Sequence, residues 1–314
     1  MAMFDVLIIG LGCAGYTAAI YTARYKLKTF IVGAEDGGMG LTAAEVGNWP
    51  GIIDIKGPDL MENFKKHAIS FEEVTHKVAR VEKLEKIGQK GQERQEGGFR
   101  ITLQGGEVIE GKTVILATGS AKRMLGTKGE KEFSGKGVTY CATCDAFFYR
   151  NKDVAVIGGG DSAVEGAAIA AQVAKTVYLI HRRNAFRAEP YWVDRVQARP
   201  NVKFVLERNV AEIVGDQKVR SVTLDKPWEG KDSIPVDGVF IEVGSIPSVE
   251  LATSLGAKLD PKGFIAVTPD QQTSVPGLFA AGDNTSESNH FAQFTTAAGE
   301  GAVAANGAFT FLQG

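Results

Sequence analysis

Two stretches of the chain share one pattern, an apolar strand that runs into a glycine-spaced turn and then into a helix. The first is DVLIIG (Asp5–Gly10) with Gly10, Gly12 and Gly15; the second is KDVAVIGGG (Lys152–Gly160) with Gly158, Gly160 and Ala163. A continuous apolar run fits a strand covered on both faces, as in a parallel sheet. The glycine spacing lets the strand turn sharply, lets the backbone approach a pyrophosphate and lets the helix pack closely on the strand. The helix N-terminus then offers free N–H groups to the phosphates. The chain is therefore read as α/β, with two doubly wound, Rossmann-like nucleotide-binding domains. The late strand within TSVPGLFAAGD (Thr273–Asp283) and a small-residue helix from about Thr295 to Leu312 need a sheet to join. Returning them to the first domain makes the second an insertion. The predicted parts are 1–117 and 245–314 for the first domain and 118–244 for the second.

The residues ending the second strand of each unit differ in sign. In the first unit Glu35 lies about 20 residues beyond the glycines, where an acid binds a ribose with free hydroxyls and repels a 2′-phosphate. In the second the same place holds His181, Arg182 and Arg183, with Arg187 close behind. Guanidinium forks there suit a 2′-phosphate. Opposite ribose chemistry points to FAD in the first cradle and NADPH in the second, the equipment for moving a hydride to a flavin. Between the two units, Pro58 opens an amphipathic helix. The segment from about Val74 to Leu103 reads as antiparallel strands, with GQKGQERQEGG (Gly88–Gly98) as an exposed turn.

YCATCDAFF (Tyr140–Phe148) holds Cys141 and Cys144, two of three cysteines. Three cysteines do not make a secreted disulfide framework. Zinc would need more ligands than Cys13 and four scattered histidines supply, so no metal is expected. An inert reduced pair remains open. A redox disulfide is favoured, because a CxxC pair beside a flavin can take electrons and pass them on by thiol–disulfide exchange. Asp145, directly behind the pair, is read either as a proton shuttle or as a solvated turn residue. Cys13 is expected to be a small buried residue, and the histidines other than His181 surface or packing residues. A net charge of −2 gives no electrostatic reason for a nucleic-acid or membrane partner. The N-terminal apolar run lacks the basic flank of a signal peptide, and a cytoplasmic location is expected.

Taken together, GLGCAGYTAA, EVGNWPG, ILATGSAKR, CATCDAFFYRNKDVAVIGGGDSAVEGA, HRRNAFRAE, EVGSIP and TSVPGLFAAGD resemble the low-molecular-weight thioredoxin reductases of bacteria and archaea, over nearly the whole chain. The resemblance implies an FAD- and NADPH-dependent reductase of thioredoxin or a similar small redoxin, working as a homodimer with two domains that rotate about hinges near Thr118 and Gly244. It implies that Cys144 is the thiol nearest the flavin, Cys141 the one that attacks the partner disulfide, and Asp145 the general acid/base. It assigns Gly10, Gly12, Ala14, Gly15, Glu35, Gly38, Leu41, Thr42, Asn48, Ala117, Gly119, Gly282, Asp283 and Gln293 to FAD. It assigns Gly158, Gly160, Asp161, Ser162, His181, Arg182, Arg183 and Arg187 to NADPH. The alternatives are a reductase of another redoxin, a thiol oxidase using oxygen, and a non-enzymatic dinucleotide-responsive regulator. The chain departs from the family pattern in three places. GGMGL (Gly37–Leu41) has one extra residue. The segment after Asp283 is two residues longer and places Ala292 before Gln293. Gly166 stands where an acid is usual, at an expected cost of about 1 kcal/mol in helix propensity.

Overall fold

The computed structural model describes residues 3–88 and 97–314. The predicted exposed turn at Gly88–Gly98 falls largely outside the described residues. The chain divides into two compact units, one that runs to Ala121 and resumes at Pro247, and one that spans Lys122–Ile246. The sequence reading placed the crossings at 117/118 and 244/245.

The first unit begins with β1 (Phe4–Ile9), α1 (Cys13–Arg24), β2 (Thr29–Gly33), α2 (Gly57–Ile69), β3 (Val74–Val78), β4 (Val81–Ile87), β5 (Gly98–Leu103) and β6 (Val108–Leu116). The short strand β7 (Ser120–Lys122) carries the chain into the second unit. There follow β8 (Val138–Thr139), α3 (Ala142–Asp145), β9 (Asp153–Ile157), α4 (Asp161–Ala170), β10 (Thr176–His181), α5 (Pro190–Gln197) and β11 (Val202–Leu206). The unit ends with β12 (Val210–Gly215), β13 (Val219–Trp228), β14 (Lys231–Pro235) and β15 (Gly238–Ile241). The return strand β16 (Ser245–Pro247), which pairs with β7, leads to α6 (Glu250–Ser254), β17 (Leu278–Ala280) and α7 (Phe294–Gln313).

In the first unit the sheet order is β3-β2-β1-β6-β5-β4, with β17 also paired to β6. β1, β2, β3, β6 and β17 run parallel, and only β4 and β5 are antiparallel additions. The expectation of antiparallel strands from Val74 onward is thus corrected at β3. This strand arrives through the α2 crossover, and a strand fed by a helix returns parallel to its predecessor. Val6, Leu7 and Ile8 on β1 have no exposed surface, as the two-sided covering of a parallel sheet requires. The late strand and helix do return to this unit: β17 pairs with β6, and α7 packs on α1 through small residues. A Cβ at Gly301 of α7 would lie 2.3 Å from the Ala14 carbonyl oxygen, so only glycine permits that approach.

The second unit has a parallel sheet of order β11-β10-β9-β15-β8 and a separate antiparallel sheet of β12, β13 and β14. α4 packs its alanines, among them Ala163, Ala167 and Ala170, into the core. Among the described residues no helix is long and apolar enough to cross a membrane, and no cluster of His, Cys, Asp and Glu could hold a metal ion.

Candidate functional site

The first unit holds one candidate cradle, and the second holds another together with a disulfide. In the first unit Gly10 has φ +131°, and a Cβ there would lie 1.9 Å from the Ala117 carbonyl oxygen. A Cβ on Gly15 would lie 1.9 Å from the Gly10 carbonyl oxygen. These two positions are small because the turn folds tightly on itself and on β6. Gly12, by contrast, faces open space, with no atom within 4 Å of its ideal Cβ. It is the N-cap of α1 and no side chain caps that helix. The first-turn N–H groups are therefore left for an external acceptor, which is what a pyrophosphate supplies.

Around this mouth the structure gathers several predicted residues. Gly38 approaches Gly12 and Gly282 sits over Ala14, with ideal Cβ positions 3.7 and 3.1 Å away. Asn48 Nδ2 donates to Gln293 Oε1 at 3.0 Å, which ties the EVGNWPG loop to the start of α7. Thr42 donates to the Met39 carbonyl oxygen, and Leu41 packs beside Gly37. Gly119 lies in the left-handed region with open space about it. Glu35 is exposed at the end of β2. Most of the GGMGL stretch lies in a short 3-10 turn over Gly38–Thr42.

Asp283 follows Gly282 and is mostly buried. Burial, and then the nearby charge of Glu300, push its carboxyl up to about 6. Glu300 was not singled out in the sequence. Its carboxylate accepts from Gly282 N–H (2.7 Å), Thr285 Oγ (2.8 Å) and Ser288 Oγ (2.6 Å), so one buried group holds the whole loop that carries Asp283. The lengthened segment then makes a left-handed turn, with φ of 50°, 52° and 59° at Ser288, Asn289 and His290. Non-glycine residues there cost about 1–2 kcal/mol each. The turn is pinned by Ser288 on one side and on the other by His290, whose Nε2 lies 2.7 Å from Asp260 Oδ2.

Two histidines expected to be surface or packing residues prove to be paired with carboxylates. Besides His290, His76 Nε2 meets Asp36 Oδ1 at 2.8 Å. Asp36 also accepts from Tyr16 (2.7 Å) and Lys65 (2.7 Å). These donors hold its carboxyl below the usual range against the opposing effect of burial. The network fixes the residue directly after Glu35. Cys13 is buried as expected, its Sγ–H donates to the Phe294 carbonyl oxygen at 3.2 Å, and burial pushes its thiol up to about 12.

The cradle of the second unit repeats the first. Gly158 has φ +148° and would place a Cβ 2.1 Å from the Glu242 carbonyl oxygen, while Gly160, the N-cap of α4, has no atom within 4 Å. His181 lies against Gly159 and stacks on Phe186 with ring centroids 5.7 Å apart. It is buried, its Nε2 has no partner among the described residues, and burial followed by the charges of Arg183, Arg187 and Arg182 lowers its pKa. A buried, unpartnered ring nitrogen is costly unless a ligand group completes it. Arg182, Arg183, Arg187 and Ser162 are exposed around it. Asp161 is used internally, since its Oδ1 accepts from Glu189 N–H at 2.7 Å and ties the arginine loop to α4. The residues present therefore fit a phosphorylated dinucleotide.

Cys141 and Cys144 form a disulfide across the first turn of α3, with their Cα atoms 5.3 Å apart. Cys141 is the N-cap, and its Sγ accepts from Cys144 N–H at 3.2 Å. A hydrogen bond to sulfur favours the thiolate once the pair is reduced. Thr139 Oγ–H donates to the Asp145 carboxylate and accepts from Cys141 N–H at 3.3 Å, so the acid and the first cysteine share one anchor. Tyr140 is anchored through its hydroxyl to Glu130 (2.9 Å), and burial pushes its phenol up to about 12. Phe147 and Phe148, just beyond the pair, are 71% and 73% exposed.

The propensity cost expected at Gly166 has a packing reason. A Cβ there would lie 2.9 Å from the Ala142 Cβ, so the glycine lets α3 rest on α4.

Comparison with known proteins agrees with this geometry. Residues 4–301 match the family model described as pyridine nucleotide-disulphide oxidoreductase. The chain is 40% identical to the thioredoxin reductase of Listeria innocua, over 99% of this chain and 94% of that one. It is also 40% identical to the thioredoxin reductase of Mycolicibacterium smegmatis, over 96% and 94%. Among solved structures, the thioredoxin reductase of Lactococcus lactis matches with a TM-score of 0.90 at 35% identity, over 99% of both chains. That of T. acidophilum matches with 0.89 at 36%, again over 99% of both. With two dinucleotide cradles and a CxxC disulfide in one chain, the protein belongs to the pyridine nucleotide-disulphide oxidoreductase family.

Proposed function

We propose that this protein is an NADPH-dependent flavoprotein that reduces the disulfide of thioredoxin, acting as a cytoplasmic homodimer. The observation that carries the reading is the closed Cys141–Cys144 disulfide, set beside exposed Phe147 and Phe148 in the unit that also holds the arginine-lined cradle. The first cradle would hold FAD through Gly10, Gly12, Ala14, Gly15, Glu35 and Asp283, and the second NADPH through Gly160, Ser162, His181, Arg182, Arg183 and Arg187. Bound there, the flavin supplies a two-electron carrier between nicotinamide and disulfide. The protein's own part is exchange. The Cys141 thiolate attacks one sulfur of the partner disulfide and releases the other as a thiolate. Cys144 then displaces the partner from the mixed disulfide, closing the Cys141–Cys144 bond. Asp145, held by Thr139, would give and take the protons. The exposed phenylalanine pair offers an apolar contact for a small protein partner.

The test is anaerobic titration with NADPH, followed by NADPH oxidation in the presence of thioredoxin. The flavin band should bleach, and oxidation should depend on thioredoxin. Bleaching with no thioredoxin turnover but rapid oxygen uptake with a dithiol would point instead to the oxidase.

Asp283 provides a further check. Its folded-state carboxyl is raised from 3.8 to about 6. The native state therefore holds a proton that the unfolded chain releases. The resulting destabilisation is absent below the unfolded value, grows as pH rises and is complete above about 6, where it amounts to about 3 kcal/mol. In flavin-free protein Asp283→Asn should therefore stabilise the fold, more at pH 7 than at pH 5 by denaturant unfolding, while the variant retains less FAD. Equal effects at the two pH values would remove this account of Asp283.

A further inference from the structure

Beneath the redox disulfide lies an ion pair that the proposed exchange does not use. Glu242 follows β15 and is 6% exposed. Its Oε1 accepts from Ala142 N–H at 3.3 Å, the first backbone N–H of the helix that carries the cysteines. Its Oε2 lies 2.9 Å from Lys122 Nζ, at the end of the strand by which the chain enters this unit. Its own N–H donates to the Ile157 carbonyl oxygen at 2.9 Å, and its carbonyl oxygen abuts Gly158 of the second cradle. Gly166 leaves the space into which this arrangement fits, with an ideal Cβ 3.9 Å from Glu242 Cγ.

A buried carboxylate survives only where partners offset its desolvation. Here the partners are a backbone N–H of the CxxC turn and one lysine. Burial pushes the Glu242 carboxyl up, and the Lys122 charge opposes it. The carboxylate is hydrogen-bonded to the cysteine helix itself, while the lysine meets its far oxygen. We infer that Glu242 is a positioning residue of the redox pair, fixing the first turn of α3 by its hydrogen bond and, through its charge balanced against Lys122, setting how readily Cys141 ionises.

Hydrogen bond and charge can be separated. Glu242→Gln keeps an acceptor for Ala142 N–H, removes the negative charge and leaves Lys122 uncompensated. A cation without its partner favours a nearby thiolate, and a pKa change of about one unit is a tenfold change in thiolate fraction. The double variant Glu242→Gln/Lys122→Met removes both charges and should return the ionisation toward that of the parent.

This inference rests on the redox reading of the pair. Its test is independent of NADPH, because the holoenzyme is reduced chemically. Dithiothreitol gives two electrons and two protons to the protein disulfide, whose S–S bond breaks as the reagent closes its own. Excess reagent is removed anaerobically, and the rate of alkylation by iodoacetamide is followed against pH, with peptide mass spectrometry locating the modified sulfur. The expected result is a Cys141 profile shifted down by about one pH unit in Glu242→Gln and largely restored in the double variant. Unshifted profiles in both, even with lowered thermal stability, would show a merely structural residue and overturn the inference. A shift in the single variant that persists in the double would remove the balancing role of Lys122 and overturn it as well.

Discussion

Cys141→Ser or Cys144→Ser should abolish thioredoxin reduction while leaving NADPH able to bleach the flavin. The two halves of the reaction draw on different residues. Hydride transfer needs the two cradles, and neither cysteine lines one of the glycine turns. Disulfide exchange needs one thiol to attack and one to resolve the mixed disulfide, and a serine hydroxyl does neither at neutral pH. Turnover with thioredoxin should fall by at least about 1,000-fold in each variant. Stopped-flow absorbance in the flavin band should show reduction at close to the parent rate. The folded state should survive, because the cores around α3 and α4 are built from Ala142, Ala146, Val164 and their neighbours and not from sulfur. Normal thioredoxin turnover in either variant would show that electrons leave by another route. Loss of flavin or of folding would show that the pair is a staple.

The second large effect concerns coenzyme choice. Arg182 and Arg183 are exposed at the end of β10, beyond the buried His181. Replacing both with glutamine should raise the KM for NADPH roughly 10- to 150-fold, which corresponds to about 1.5–3 kcal/mol for a charged hydrogen bond to phosphate. The KM for NADH, which has no 2′-phosphate, should move less than about threefold. Steady-state kinetics with the two coenzymes decides it, and parallel losses for both would remove the arginines from the 2′-phosphate. Replacing His181 should weaken both coenzymes together, since its buried ring lies against Gly159 of the cradle and its unpartnered Nε2 offers no charge to a 2′-phosphate.

The parallel strands, both glycine turns and the return of the last strand to the first sheet were legible in the sequence. Each rests on a local pattern, an apolar run or a spacing, that needs no partner to be recognised. What escaped depends on partners far along the chain. Val74–Val78 alternates like an antiparallel strand, and only its pairing with β2 shows its direction. The helix Pro190–Gln197 was missed because its short polar sequence buries only Val196 fully. The roles of Asp36, Glu300 and Glu242 come from donors on other elements, at Lys65 and His76, at Thr285 and Ser288, and at Lys122. A lone acid inside an otherwise small-residue helix, as at Glu300 in AAGEGAVAA, was a usable signal, since an acid there has to find donors. The glycine at 166 was visible as an oddity, but its cause, the closeness of α3, was not.

The interrupted course of the first unit also bears on how the chain acquires its structure during synthesis. The Lys122–Ile246 unit is continuous in sequence and has its own core, so it can close as soon as it leaves the ribosome. The other unit cannot. β17 and α7 emerge last, yet β17 pairs with β6 and α7 covers α1. Until they arrive, Ala18, Ala19 and Ile20 lack their cover, and β6 has an open ladder at Val114, Ile115 and Leu116, beyond its pairing with β5. Contacts between the first and last elements of a chain form slowly, because a long loop must close before they give any return. The later-numbered unit should therefore mature first and the N-terminal one last. A chain arrested before Leu278 should show a protease-resistant fragment from the middle of the sequence and none from its beginning.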